Sequence, residues 1–192
     1  MDNTLKQVPN KLIKVVLFGP ECTGKSTLSK QLATHYNTVL VPEFLREFAQ
    51  KKWNNEQKVC EEKDITAIAK GQMQLENEAA KTANKLLICD TDLLETKVYA
   101  ESYFEGFTNI ELDSAINNNN YDLYFLTYID VPWQADDLRD RAALREEMFT
   151  QFENALIKQN KNYVILKGNK VSRFTTAITT IDKLITNTLN LT

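Results

Sequence analysis

Eight consecutive residues, Gly19-Pro20-Glu21-Cys22-Thr23-Gly24-Lys25-Ser26, fit the pattern G-x-x-x-x-G-K-[ST], with Thr27 following. Each residue type in that order does something a bound phosphate chain needs. The two glycines let successive backbone N–H groups turn inward around an anion, and a helix opening at Lys25 adds the positive end of its dipole. Lys25 supplies a compact charge for the outer phosphates and Ser26 a hydroxyl for Mg²⁺. Thr23 and Thr27 complete the loop as phosphate contacts, with Glu21 and Cys22 inside it. Cys22 reads equally as a small residue that the loop tolerates.

Acidic and basic residues elsewhere fall where such a site would need them. Asp90 closes the apolar run Lys85–Cys89, where an acid holds Mg²⁺ directly or through water; helix capping by Asp90, Thr91 or Asp92 is the competing reading. Glu43, with Arg46 just beyond, follows the run Thr38–Val41. A carboxylate there either takes the proton of an attacking hydroxyl or holds sugar hydroxyls. The alternative is an acid that stabilises a helix dipole. Arg139, Arg141 and Arg145 occupy a charged segment of about 133–147. Arginine suits the charge that develops on a transferred phosphoryl group, although pairing with Asp137, Asp140, Glu146 or Glu147 along a helix would also account for them. Arg173, in the loop after the run Tyr163–Leu166, is a candidate for contacts with the nucleotide base.

The elements that must position these residues alternate. Apolar, β-branched runs at Leu12–Phe18, Thr38–Val41, Lys85–Cys89, Leu123–Ile129 and Tyr163–Leu166 read as buried strands. Helical patterns fill the gaps, at about Lys25–Tyr36, Glu43–Trp53, Asp64–Asn84, Leu93–Phe104 and Val171–Ile185. Strand–helix alternation implies a parallel sheet covered on both faces, an α/β three-layer sandwich with five strands. Ligands of such sheets bind at the carboxyl ends of the strands. Gly19, Glu43, Asp90 and Asp130 are the residues just beyond strands one to four. The segment after strand four reads as a helical lid, and Asn117–Asn120 as a polar loop tip.

Composition narrows the classes. The 192 residues carry 23 basic and 26 acidic side chains, a net charge of −3, which argues against bulk nucleic-acid binding. No apolar run is long enough to span a membrane and no secretory leader is visible. Three cysteines without paired spacing fit free thiols in a reducing, cytoplasmic setting, and a lone histidine disfavours a His-based metal site or a Ser/His/Asp triad. The length suits one domain, 1–192, with 1–11 as an N-terminal tail.

Four blocks occurring in order carry a family likeness: Gly19–Thr27; Pro42-Glu43-Phe44-Leu45-Arg46-Glu47; Cys89-Asp90-Thr91-Asp92 with Thr96 and Tyr99; and Leu126–Arg139, within which Asp130-Val131-Pro132-Trp133 is the most specific. Together they resemble the ribosylnicotinamide kinase domain of the NadR proteins, a P-loop kinase group often labelled as AAA-type ATPases. The likeness runs from about Lys14 to Leu184. It implies phosphorylation of the 5′-hydroxyl of nicotinamide riboside by ATP with Mg²⁺, giving nicotinamide mononucleotide. By position it implies phosphate binding by Gly19–Thr27, Mg²⁺ at Ser26 and Asp90, and lid roles for Arg139 and Arg145. Glu43, Asp92, Asp130 and Asp136 become candidates for the ribose or the general base. Trp133 becomes either a stacking platform for the cationic pyridinium ring or a packed hinge. Many members carry an adenylyltransferase domain before the kinase; here a kinase module without one is expected, since the first strand begins by Leu12.

Overall fold

A computed structural model describes residues 5–135 and 141–189. Five strands form one parallel sheet in the order β2-β3-β1-β4-β5: β1 Ile13–Phe18, β2 Leu40–Val41, β3 Leu86–Asp90, β4 Leu123–Thr127 and β5 Tyr163–Leu166. The register pairs Leu17 with Asp90 and with Phe125. The carboxyl ends of β1, β3 and β4 therefore finish side by side, and the phosphate loop leaves from the central one.

The period of two along β1 builds both cores. Ile13, Val15 and Leu17 point to one face, where Leu28 and Leu32 of α1 (Lys25–His35) and Ala177 and Ile181 of α7 (Lys170–Leu189) cover them. Val16 and Phe18 point to the other face. There they meet α3 (Ile65–Ala80), α4 (Leu93–Tyr103), α5 (Ile110–Asn118) and α6 (Arg145–Lys158), with α2 (Phe44–Glu56) at the edge. This is the three-layer α/β sandwich expected. Phe18 is fully buried and makes edge-on contacts with Tyr124 and Phe152, an arrangement that adds about 0.5–1.5 kcal/mol per aromatic pair beyond area burial.

Three local expectations change. The stretch Asn109–Asn118 is a short helix that the sequence reading passed over. Asn109 caps it by accepting the Leu112 N–H at 3.0 Å, and Leu112, Ala115 and Ile116 form its buried stripe. The Asn-rich run beyond it is not a free loop tip. Asn119 is buried, donates to the Leu5 carbonyl at 3.0 Å and accepts the Gln7 N–H at 3.1 Å. That docks the chain ahead of β1 instead of leaving it as a tail, with Leu5 buried in the core. Among the described residues, the segment after β4 is irregular over 131–135 and forms a 3₁₀ turn, Ala142–Leu144, before α6 begins at Arg145. Of the expected helical lid, the described residues ahead of 142 are not helical. Asp136 and Arg139 lie outside the described residues. No helix among the described residues is long and apolar enough to cross a membrane.

Candidate active site

The loop Gly19–Thr27 wraps the carboxyl end of β1. Gly19 has φ +132°, and a Cβ there would lie 2.8 Å from Thr127 Oγ1 and 3.0 Å from the Thr127 carbonyl. Only glycine lets the loop lie this close to β4. Gly24, at φ +88°, takes the left-handed turn that starts α1 at Lys25. Thr127 holds the loop from below: its hydroxyl meets Thr23 Oγ1 at 2.7 Å and donates to the Phe18 carbonyl at 3.1 Å. Thr23 also donates to the Pro20 carbonyl at 2.7 Å. Ser26 and Thr27 stand exposed at the helix start.

Lys25 is buried and its ammonium is fully engaged. It donates to the carbonyls of Gly19 at 2.6 Å and Pro20 at 3.0 Å and pairs with Glu95 Oε1 at 3.2 Å. Burial works to lower its pKa, but Glu95, Glu43 and Asp90 together hold it above the ordinary lysine value. The acids respond in kind. Burial pushes the half-buried Glu43 up against the pull of Lys25 and Arg46, with Asp90 and Glu21 adding to the rise. Burial also raises Asp90, although the Ser26 hydroxyl and Lys25 oppose it. Burial raises Glu95 to about 8, against the pull of Lys25 and with Glu43 adding. Three acids thus crowd one buried cation. Asp90 Oδ1 is buried and has no hydrogen-bond partner among the described residues, and Ser26 lies beside the same carboxyl group. One acid and one hydroxyl next to a phosphate loop suit Mg²⁺, which takes most of its remaining ligands from phosphates and water.

Glu43 sits at the N-cap of α2 but makes no side-chain cap bond; its electrostatic partners are Lys25 and Asp90. Arg46 is exposed one turn on. Two other acids serve the scaffold instead. Asp92 is buried, accepts the Glu95 N–H at 3.1 Å as N-cap of α4 and accepts the Tyr124 hydroxyl at 2.7 Å. Each of its oxygens already holds one bond from the scaffold, and the side chain is buried. Asp130 accepts the Gly168 N–H at 2.6 Å and pairs with Arg173. Burial works upward on Asp130, but those two partners bring it below the ordinary carboxylate range. Arg173 is buried and also donates to the carbonyls of Thr23 at 2.6 Å, Tyr128 at 2.8 Å and Gly168 at 2.9 Å. It fastens the phosphate loop to the ends of β4 and β5 instead of facing a nucleotide base.

The described part of the lid closes on the loop. Cys22 Sγ accepts the Gln134 N–H at 3.0 Å, and Glu21 Oε1 accepts the Arg141 N–H at 3.0 Å. The Arg141 guanidinium lies 3.9 Å above the Tyr103 ring and donates to the Ser102 carbonyl at 2.9 Å. Arg145 stands over Trp133 at 5.7 Å and donates to the Val131 carbonyl at 2.9 Å, while its Nε is buried without a partner among the described residues. Tyr99, Trp133, Arg141, Arg145 and Met148 line a narrow cavity against Pro20 and Glu21, too tight in this arrangement to admit a water. The ring proposed for stacking thus faces this cavity with a guanidinium over it.

Glu95 is the functional residue that sequence reading missed. In Asp92-Leu93-Leu94-Glu95 it reads as the acid of a capping motif. The available signal was its spacing: it lies four residues before Tyr99 on a helix whose neighbouring positions Leu94, Thr96 and Val98 are buried.

Residues 14–173 match the model of the AAA_28 family, described as an AAA domain. The chain belongs to that family. Among relatives, this AAA_28 chain is 31% identical over 147 residues to the trifunctional NAD biosynthesis/regulator protein NadR of Salmonella typhimurium, covering 77% of this chain and 35% of that one. Among solved structures it resembles NadR protein in complex with NR, with a TM-score of 0.71 and 20% identity over 90% of this chain and 51% of that one. Thymidylate kinase from Ehrlichia chaffeensis shares the fold at a TM-score of 0.62 and 16% identity, covering 93% of this chain and all of the other. The chain spans about a third of the Salmonella relative's length and about half of the NadR structure. The architecture is that of P-loop nucleoside and nucleotide kinases.

Proposed function

We propose that this chain is an ATP- and Mg²⁺-dependent kinase that phosphorylates the 5′-hydroxyl of nicotinamide riboside to nicotinamide mononucleotide. The observation that carries the phosphoryl-transfer reading is the convergence of Glu43, Asp90 and Glu95 on the phosphate-loop Lys25. The likeness to NadR proteins, one of them solved with NR, supports the acceptor. Gly19–Thr27 cradle the phosphate chain and Lys25 offsets the charge that grows on the transferred group. Ser26 and Asp90 hold Mg²⁺, which supplies further charge neutralisation at the phosphates when bound. Glu43 takes the proton of the attacking hydroxyl, a role helped by the burial that raises its pKa. Arg141, Arg145 and Arg139 of the lid exclude water and stabilise the transfer. Trp133 stacks the pyridinium once Arg145 has turned toward phosphate. Arg46 and Asp136 are the remaining candidates for substrate contacts.

The test is incubation of the protein with ATP, Mg²⁺ and a nucleoside panel, with products read by mass. Nicotinamide mononucleotide should form with nicotinamide riboside. Its absence at saturating concentrations, together with phosphorylation of another nucleoside or a nucleoside monophosphate, would favour the second reading. The thymidylate kinase likeness supports that reading.

A further inference from the structure

Glu95 stands in an unusual place for an acid: a fully buried carboxylate at the mouth of a site meant for phosphate. Its side chain is 2% exposed. Oε2 accepts the Gly19 N–H at 3.3 Å, and Oε1 has no hydrogen-bond partner among the described residues, its company being the Lys25 ammonium at 3.2 Å. Lys25 in turn donates to the carbonyls of Gly19 and Pro20 and is paired in charge with Glu95. A phosphate can recruit Lys25 only if one of those contacts is given up. Once the ammonium turns to phosphate, Glu95 Oε1 is left buried with nothing to hold, a costly state for a carboxylate. The least costly remedy is an incoming donor. A ligand that arrives after the nucleotide and carries hydroxyl groups provides one.

We propose that Glu95 couples the two substrates: nucleotide binding draws Lys25 away from it, and the freed carboxylate accepts a hydroxyl of the acceptor. This rests on the kinase reading and deepens it, by making the acceptor site complete only when the phosphate site is filled. The groups around the pair are Glu21 and Gly19 of the loop, Glu43 and Arg46 of α2, Asp90 of β3 and Tyr99 of α4. Coupling between two ligands is reciprocal, so either order of addition reads it.

The test is calorimetric titration of nicotinamide riboside, alone and with a saturating non-hydrolysable ATP analogue and Mg²⁺. The wild type should bind the riboside about tenfold or more tightly with the analogue present. In Glu95→Gln, which removes the charge that pairs with Lys25, the two affinities should differ by less than twofold while analogue binding persists. If that variant does not fold, Lys25→Met serves: the riboside alone should bind it more tightly than it binds the wild type. Equal coupling in Glu95→Gln and wild type, or no coupling in the wild type, would overturn the proposal. If the riboside binds the wild type in neither state, the acceptor assignment fails instead. The same cycle with whichever panel nucleoside is phosphorylated then decides on Glu95.

Discussion

Lys25 is the point where the chemistry concentrates, because it is a buried cation surrounded by acids that hold it charged. Lys25→Ala should lower kcat about 100- to 1,000-fold, the range for removing one preorganised charge from a transition state. Steady-state rates at saturating substrates check this, with melting curves to show that the fold persists. Trp133 answers to a different measurement. Its ring faces the lid cavity, and a cation–π contact there contributes about 0.5–2 kcal/mol. Trp133→Ala should therefore raise the riboside KM by about 2- to 30-fold with little change in ATP KM. An unchanged riboside KM would remove Trp133 from the acceptor site. The phosphate loop and Glu43 were legible at this scale because their chemistry is local: a spacing of glycines, or one acid after one strand. Glu95 was not. Its role depends on α4 crossing beside the loop, a contact between residues 70 positions apart in sequence.

Among the elements, the loop between β5 and α7 and the N-terminus of α4 brace the site. Arg173 joins Thr23, Tyr128, Gly168 and Asp130 in one cluster. Arg173→Ala leaves those acceptors unpaired and should cost about 2–3 kcal/mol of stability, since Asp130 remains partly solvated. Denaturant unfolding measures it, and a loss below about 0.5 kcal/mol would contradict the bracing role. At the start of α4, burial raises Asp92 from 3.8 to about 6, despite its bond from Tyr124. A carboxyl raised in the folded state contributes stability below its unfolded pKa and loses it as the pH climbs through the folded one. The wild type should thus lose stability between about pH 4 and 6, and Asp92→Asn should show a smaller loss across that window in melting scans. Strand runs and long helices were readable because their apolar periods are long. Helix α5 was not, being nine residues with three buried positions and an Asn-rich end. Asp92 and Asp130 show a further limit. An acid after a strand fits a ligand site and a scaffold equally well by sequence, and only the positions of Tyr124 and Arg173 decide between them.

For the whole molecule, the net charge of −3 conceals a division of labour. Acids gather at the carboxyl edge of the sheet, around the buried lysine of the loop. Another ionic group, Lys14 with Glu76, lies at the opposite end of β1, where Tyr121 and Gln7 complete it and hold the residues ahead of the strand in place. The sheet thus separates a site built for exchange of partners from one whose partners are all supplied by the chain. The most direct test of phosphoryl transfer to a nucleoside is a mass measurement on the wild type and Lys25→Ala side by side, with ATP, Mg²⁺ and nicotinamide riboside. Nicotinamide mononucleotide and ADP should appear in equal amounts with the wild type and be lost with the variant. ADP without nicotinamide mononucleotide, or equal product from both proteins, would contradict it.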